Sequence, residues 1–236
     1  MYLIDPKFNM ALVQMTNRCN ITCRHCYVSS HPRGAFGLTR TRLFALVDEL
    51  EQLGIDRLAL SGGEPLSRIE DCLETLTHAQ GRLTMLLLTN AMLITERVAK
   101  RLVDLNPVIR VSLDGASAET HDRMRGPGSF IRTMRGIERL LSAGFNPERL
   151  EFFSTLITDT VDDMHRILAL AEGFGITHMK VEPVSRTGRA VDTWGTMTGT
   201  QDDPDTRLYR QNFNVTEIEG PEHIWRVADI ADTAFR

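Results

Sequence analysis

Cysteine is scarce in this chain of 236 residues, and none occurs beyond position 72. Three of the four thiols crowd into residues 19–26, which is no disulfide framework of the kind that staples small secreted domains. An excess of one charge is missing too. With 27 Lys and Arg against 31 Asp and Glu, the net charge of −4 offers no basic field for nucleic acid or anionic lipid. No apolar run approaches the roughly 18 residues of a membrane span. The opening stretch, MYLIDPKFNMALVQMT, lacks the basic region, apolar segment and small-residue cleavage site of a secretory signal. These absences predict a cytoplasmic protein with neither nucleic acid nor membrane as partner. What is present is ordinary for a globular chain: 42% apolar and 25% charged residues, enough for a sizeable core.

Apolar strand-like runs alternate with helical patterns. Residues 9–15, 57–65, 82–90, 108–115, 149–158 and 177–184 read as strands. Between them, residues 41–54, 68–79 (RIEDCLETLTHA), 95–105, 129–144 and 161–175 carry apolar side chains at helical spacing. Gly54 and Gly144 close two of these helices, Thr95 N-caps another, and Pro107 ends it. Cys72 shares a helical stripe with Ile69, Leu73, Leu76 and Ala79 and reads as a small core residue. Continuous apolar strands such as MLLL suit a buried parallel sheet. Polar and glycine signals recur directly after strands, the pattern of barrels whose chemistry sits at the strands' C-terminal ends. The expected fold is α/β, a partial (β/α)6 TIM-like barrel open on one side. It occupies residues 1–190, with 191–236 as an extension. Residues 185–207 read as polar loop, 212–218 as a further strand, and 221–235 as a short helix with Pro221 in its first turn.

The stretch CNITCRHC raises the chemical question. Structural zinc closes with four ligands. Here Cys19, Cys23 and Cys26 supply three, with His25 and His31 as the local candidates for a fourth. An iron–sulfur cluster held by three thiolates instead leaves one iron open to an outside ligand. Zinc, an open cluster and an unrelated grouping all survive this point. LSGGEP follows one strand–helix unit later. Its glycines allow close backbone approach, and Glu64 adds a carboxylate; together they suit an amino group.

Taken together, these motifs resemble the radical S-adenosylmethionine (SAM) superfamily. C-x3-C-x2-C is its cluster signature, with His25 in the position that family fills with an aromatic residue, and SGGEP resembles its glycine-rich motif. Thr89–Asn90, SLDG at 112–115, HDRMRGPGSF at 121–130 and GRA at 188–190 resemble the molybdopterin-precursor cyclase and peptide-maturase (SPASM-type) branch. The resemblance implies a [4Fe–4S] cluster, one per chain, on Cys19, Cys23 and Cys26, with SAM chelating the open iron. It implies cofactor contacts from His25, Gly62, Gly63, Glu64 and Asn90, with Ser112 and Asp114 on the ribose or carboxylate. One of Arg123 and Arg125, preferably Arg125, would clamp the methionine carboxylate.

The implied activity is reductive cleavage of SAM to a 5′-deoxyadenosyl radical, which abstracts hydrogen from a small natural-product or cofactor intermediate or from a ribosomally made peptide. A flavodoxin or ferredoxin is the implied electron donor. Glu151, Ser154, Lys180 and Glu182 on the last strands are candidates to face substrate, and no catalytic acid or base is assigned. Peptide maturases of this branch usually carry auxiliary clusters in a cysteine-rich region after GRA; these 236 residues contain no thiol there. The rival readings are a glycyl-radical activase acting on a protein partner and, outside enzymology, a zinc- or SAM-binding module.

Overall fold

A computed structural model describes residues 10–157, 163–198 and the backbone strand 224–226. In chain order the elements are β1 (Met10–Thr16), α1 (Arg40–Gln52), β2 (Arg57–Gly62), α2 (Ile69–Ala79) and β3 (Thr84–Thr89). They continue with α3 (Glu96–Leu105), β4 (Val108–Ser112), α4 (Ala118–Arg125), α5 (Ser129–Ser142) and β5 (Leu150–Leu156). The last are α6 (Met164–Gly173), β6 (His178–Pro183), α7 (Ala190–Thr198) and β7 (Ile224–Arg226). Strands β1 to β6 lie side by side in sequence order, all parallel, and β7 adds antiparallel to β6. This is the expected six-stranded partial barrel.

Alternation along each strand separates two environments. Leu58, Leu60, Met85, Leu87, Ile109, Val111, Leu150, Phe152 and Met179 turn toward the helices and form one core with Leu43, Val47, Leu73, Leu76, Leu102, Ile137 and Ile167. Their neighbours Leu12, Ala59, Leu86, Leu88, Arg110, Ser112, Phe153, Lys180 and Glu182 line a hollow on the other face. Apolar residues at successive positions of β3 therefore do two different jobs. Cys72 is fully buried in the core on α2, as its helical stripe implies. Each fully buried Leu, Ile or Phe contributes about 1.5–3 kcal/mol, so the helix-covered face dominates stability.

Helix ends follow the local chemistry. Thr95 accepts from the Val98 N–H at 3.3 Å, and α3 stops where Asn106 turns left-handed (φ 48°) before Pro107.

Three expectations need correction. Residues 190–198 form helix α7 rather than loop, because Ala190, Trp194 and Met197 make a buried stripe against Met124, Ile157 and Val184. The surrounding Thr, Asp and Gly hid that spacing. Helix α4 was not expected at all; it is short and polar, yet Ser117 caps it at the Thr120 N–H (3.3 Å) and it buries His121 and Met124. Within the span expected as a C-terminal helix, Ile224–Arg226 instead pairs with Lys180–His178 as strand β7. The rest of that span and the strand expected at 212–218 lie outside the described residues.

Candidate active site

The cysteine loop leaves the C-terminal end of β1 and is fastened from four directions. It is first folded on itself: the Asn17 N–H donates to Phe36 O at 3.1 Å and the Cys19 N–H to His31 O at 3.2 Å. From β2, the Gly63 N–H donates to Thr16 O at 2.7 Å and the Glu64 N–H to Arg18 O at 2.9 Å. That approach explains the glycine pair. Gly62 has φ 129°, and a Cβ on either residue would overlap the Thr16–Arg18 backbone. The glycines thus let two segments of chain meet. From α4, Met124 O accepts the Arg24 N–H at 2.9 Å.

The fourth fastening comes from the GRA segment and α7. The Arg189 N–H donates to Cys26 O at 2.9 Å. Its guanidinium donates to Cys23 O and, at 2.6 Å, to Ser30 O. Thr193 Oγ1 adds a bond to Arg24 O at 2.8 Å. Gly188 sits against the carbonyls of Cys26 and Tyr27, where a Cβ would not fit. No role was foreseen for Arg189; the resemblance of GRA to a family boundary was its only signal in the sequence.

So held, Cys19, Cys23 and Cys26 are all free thiols. They line a single cavity of about 430 Å³ with His25, Gly62, Gly63, Glu64, Asn90, Ser112 and Arg125. Burial pushes the Cys19 thiol up to about 12 and the Cys23 thiol up to about 11. Without a cation both thiols stay protonated, and metal binding would release those protons. Among the described residues no three Cys, His, Asp or Glu side chains converge on one point as a single ion demands. Three thiolates on one loop are the donor type that iron–sulfur clusters take, so the donor set fits a [4Fe–4S] centre. His25 Nδ1 is buried without a hydrogen-bond partner among the described residues, which also suits a site completed by another group.

Glu64 is 1% exposed, and both its oxygens are committed. Oε1 accepts from Thr89 Oγ1 (2.8 Å) and the Leu66 N–H (3.0 Å), and Oε2 from the Asn90 N–H (2.8 Å). Burial still raises its pKa against those three donors. The carboxylate expected to meet an amino group thus joins the end of β2 to the end of β3. It sets Asn90, whose Nδ2 donates to Asn20 Oδ1 at 2.8 Å beside Cys19. Asn20 was also not foreseen as a site residue.

Asp114 is placed differently from Glu64. It is fully buried and absent from the cavity wall, its Oδ2 accepting from Arg125 Nε at 2.6 Å and its Oδ1 from the Thr155 N–H at 2.9 Å. Burial alone would raise this carboxyl, but the Arg125 guanidinium outweighs it and holds the group at about 2. Asp114 therefore stands behind Arg125, which does line the cavity. Arg123 lies on the surface near Glu119 at 3.8 Å. His25 Nε2 sits 3.4 Å from Asp114 Oδ2, yet burial lowers the ring to about 4, so it is neutral.

On the last strand of the parallel set, Lys180 and Glu182 line the cavity and pair at 2.7 Å. Glu151 instead binds Arg110 at 2.7 Å. Ser154 lies on the other face, fully buried, and donates to Leu113 O. Two of the four substrate-facing candidates thus reach the cavity wall.

Residues 13–171 match the Radical SAM superfamily. Mycofactocin maturase MftC of Mycolicibacterium smegmatis is 34% identical over 184 residues, 77% of this chain and 46% of that protein. The AdoMet-dependent heme synthase of Methanosarcina barkeri is 35% identical over 182 residues, 75% of this chain and 50% of that protein. The chain thus spans about half the length of the curated relatives it matches. Among solved structures, Streptococcus suis SuiB bound to precursor peptide SuiA superposes with a TM-score of 0.70 at 14% identity, covering 86% of this chain and 44% of that one.

Proposed function

This chain belongs to the radical SAM superfamily, and from that membership we propose that it cleaves S-adenosylmethionine reductively to abstract hydrogen from a ribosomally made peptide or a small natural-product or cofactor intermediate. One observation carries the reading: three thiols of one loop share a cavity with Gly62, Gly63, Asn90 and Arg125 at the C-terminal mouth of a parallel sheet. Cys19, Cys23 and Cys26 hold one [4Fe–4S] cluster per chain in this reading, leaving one iron to the methionine end of the cofactor. When bound, the pair supplies a 5′-deoxyadenosyl radical as the hydrogen-atom acceptor.

The protein's own residues orient and exclude water. Arg125 has its Nε on Asp114, and its terminal nitrogens are the donors assigned to the methionine carboxylate. Gly62 and Gly63 offer backbone carbonyls to the amino group, and Asn90 and Ser112 offer polar contacts to the ribose or carboxylate. His25 is a neutral part of the wall. Glu64 and Asp114 act through others, by setting Asn90 and Arg125. Lys180 and Glu182 face the substrate region, and no acid or base is assigned.

Residues 1–190 are the catalytic core in this scheme and 191–236 an extension whose first helix braces the cysteine loop. The two named relatives, a maturase and a heme synthase, support the two substrate classes equally. A flavodoxin or ferredoxin is the assigned reductant, and a reducing cytoplasm is the compartment that keeps three thiols available. The test is anaerobic reconstitution with iron and sulfide, followed by dithionite and SAM. The expected result is a brown protein with about four irons per chain that releases 5′-deoxyadenosine. A protein that loads iron but releases none refutes the activity, and one that takes up a single zinc refutes the site.

A further inference from the structure

The chain is acidic overall, yet its cysteine region is not. From Pro6 to Val47 there is no Asp or Glu, while Lys7, Arg18, Arg24, Arg33, Arg40 and Arg42 all fall in that stretch. Arg40 and Arg42 are neutralised by Asp71 (2.9 Å) and Glu49 (2.6 Å), and Arg24 donates to Thr196 (2.7 Å). Arg18 and Arg33 are exposed and have no carboxylate partner among the described residues.

The backbone places these two cations together. Arg18 forms a bridge with His31, the Gly34 N–H donates to His31 O at 3.0 Å, and the Phe36 N–H donates to Asn17 Oδ1 at 2.9 Å. Residues 31–37 are thus stitched along 16–19, directly before and beside Cys19. Phe36 lies in the same strip with 62% of its surface exposed. An aromatic ring flanked by unpaired arginines has the composition of a protein-binding hot spot.

We propose that Arg18, Arg33 and Phe36 form the docking surface for an acidic one-electron donor protein carrying a flavin or iron–sulfur centre. This deepens the reading above and rests on it. Charge complementarity selects the partner: an acidic surface is drawn to this uncompensated basic strip, which shares its loop with the three thiols. On docking, the donor's centre loses one electron to the centre held by Cys19, Cys23 and Cys26; no bond or proton moves at that step.

The test titrates flavodoxin into the reconstituted full chain, with basic cytochrome c as a control of opposite charge. Arg33→Glu, alone and with Phe36→Ala, is expected to weaken flavodoxin binding about tenfold or more, and raising salt from about 20 mM to about 0.5 M to weaken wild-type binding similarly. Iron content and dithionite-driven 5′-deoxyadenosine should stay at wild-type levels, because a small reductant needs no docking face. Unchanged flavodoxin affinity in both variants overturns the proposal, as does equal or tighter binding of cytochrome c. Tighter binding after Asp202, Asp203 and Asp205 are changed to Asn would assign the strip to the chain's own acidic run and also overturn it. Absence of 5′-deoxyadenosine from wild type with dithionite refutes the catalytic reading instead, a separate result.

Discussion

Replacing Arg189 by Ala should loosen the cysteine loop while leaving the barrel intact. The guanidinium donates to the carbonyls of Cys23 and Ser30, and both bonds vanish in the variant while the backbone bond to Cys26 remains. A hydrogen bond to a charged group contributes about 1.5–3 kcal/mol. Arg189 is only half-buried, so water replaces part of each bond, and we expect a combined loss of about 1–2 kcal/mol in the free energy of local opening. That corresponds to amide exchange about 5–30 times faster in the loop. The measurement is hydrogen exchange resolved by peptide, comparing residues 19–30 with β3, whose Leu87 is fully buried. Iron release to a chelator from the reconstituted protein should accelerate in parallel. Arg189→Lys should recover only part of the protection, because one ammonium cannot reproduce a planar fork on two carbonyls. Unchanged exchange in the loop, or an equal rise in β3, would refute the idea that this side chain clasps the loop locally.

Asp114→Asn leaves Arg125 charged and buried without its partner, and should lower stability by about 3 kcal/mol in chemical denaturation; a loss below 1 kcal/mol would show the pair is dispensable. His121 accepts the Asp114 N–H on Nδ1 at 3.2 Å, and burial lowers its pKa to about 4. The unfolded chain binds that proton near the ordinary value of 6.5, so it takes up more protons than the native state between those limits. Stability should therefore fall by about 3 kcal/mol from this group as pH drops from 6.5 toward 4, and His121→Gln should flatten that slope in urea melts. Asp122 accepts from the N–H groups of Gly128 (2.6 Å) and Phe130 (2.7 Å) and from Ser129 Oγ (2.9 Å). Asp122→Ala removes this cap from the start of α5 and should cost about 1–2 kcal/mol in thermal unfolding, with iron loading unchanged.

Much of the molecule was legible along the chain because its periods are local. The alternation of apolar runs marked six strands, and C-x3-C-x2-C with SGGEP marked the site, since residues close in sequence must lie near one another in a loop. The failures had a common cause. Helix α7 was misread because three buried residues in nine are a weak stripe until Met124, Ile157 and Val184 arrive from distant segments to cover them. The hydrogen bonds that commit Asp114 and Glu64 to Arg125 and to Asn90 were not legible either, because a pattern names residue types and not the direction their oxygens face.

The sequence by itself determined the parallel strand–helix order, the three thiols and their company of glycines, because spacing and residue chemistry are carried by neighbours. Tertiary structure alone decided that Asp114 stands behind Arg125, that Glu64 joins two strands, and that Arg189 reaches across more than 150 positions to grip the cysteine loop. Those assignments depend on which groups remain exposed once the chain closes on itself, and burial is a property of the packed whole.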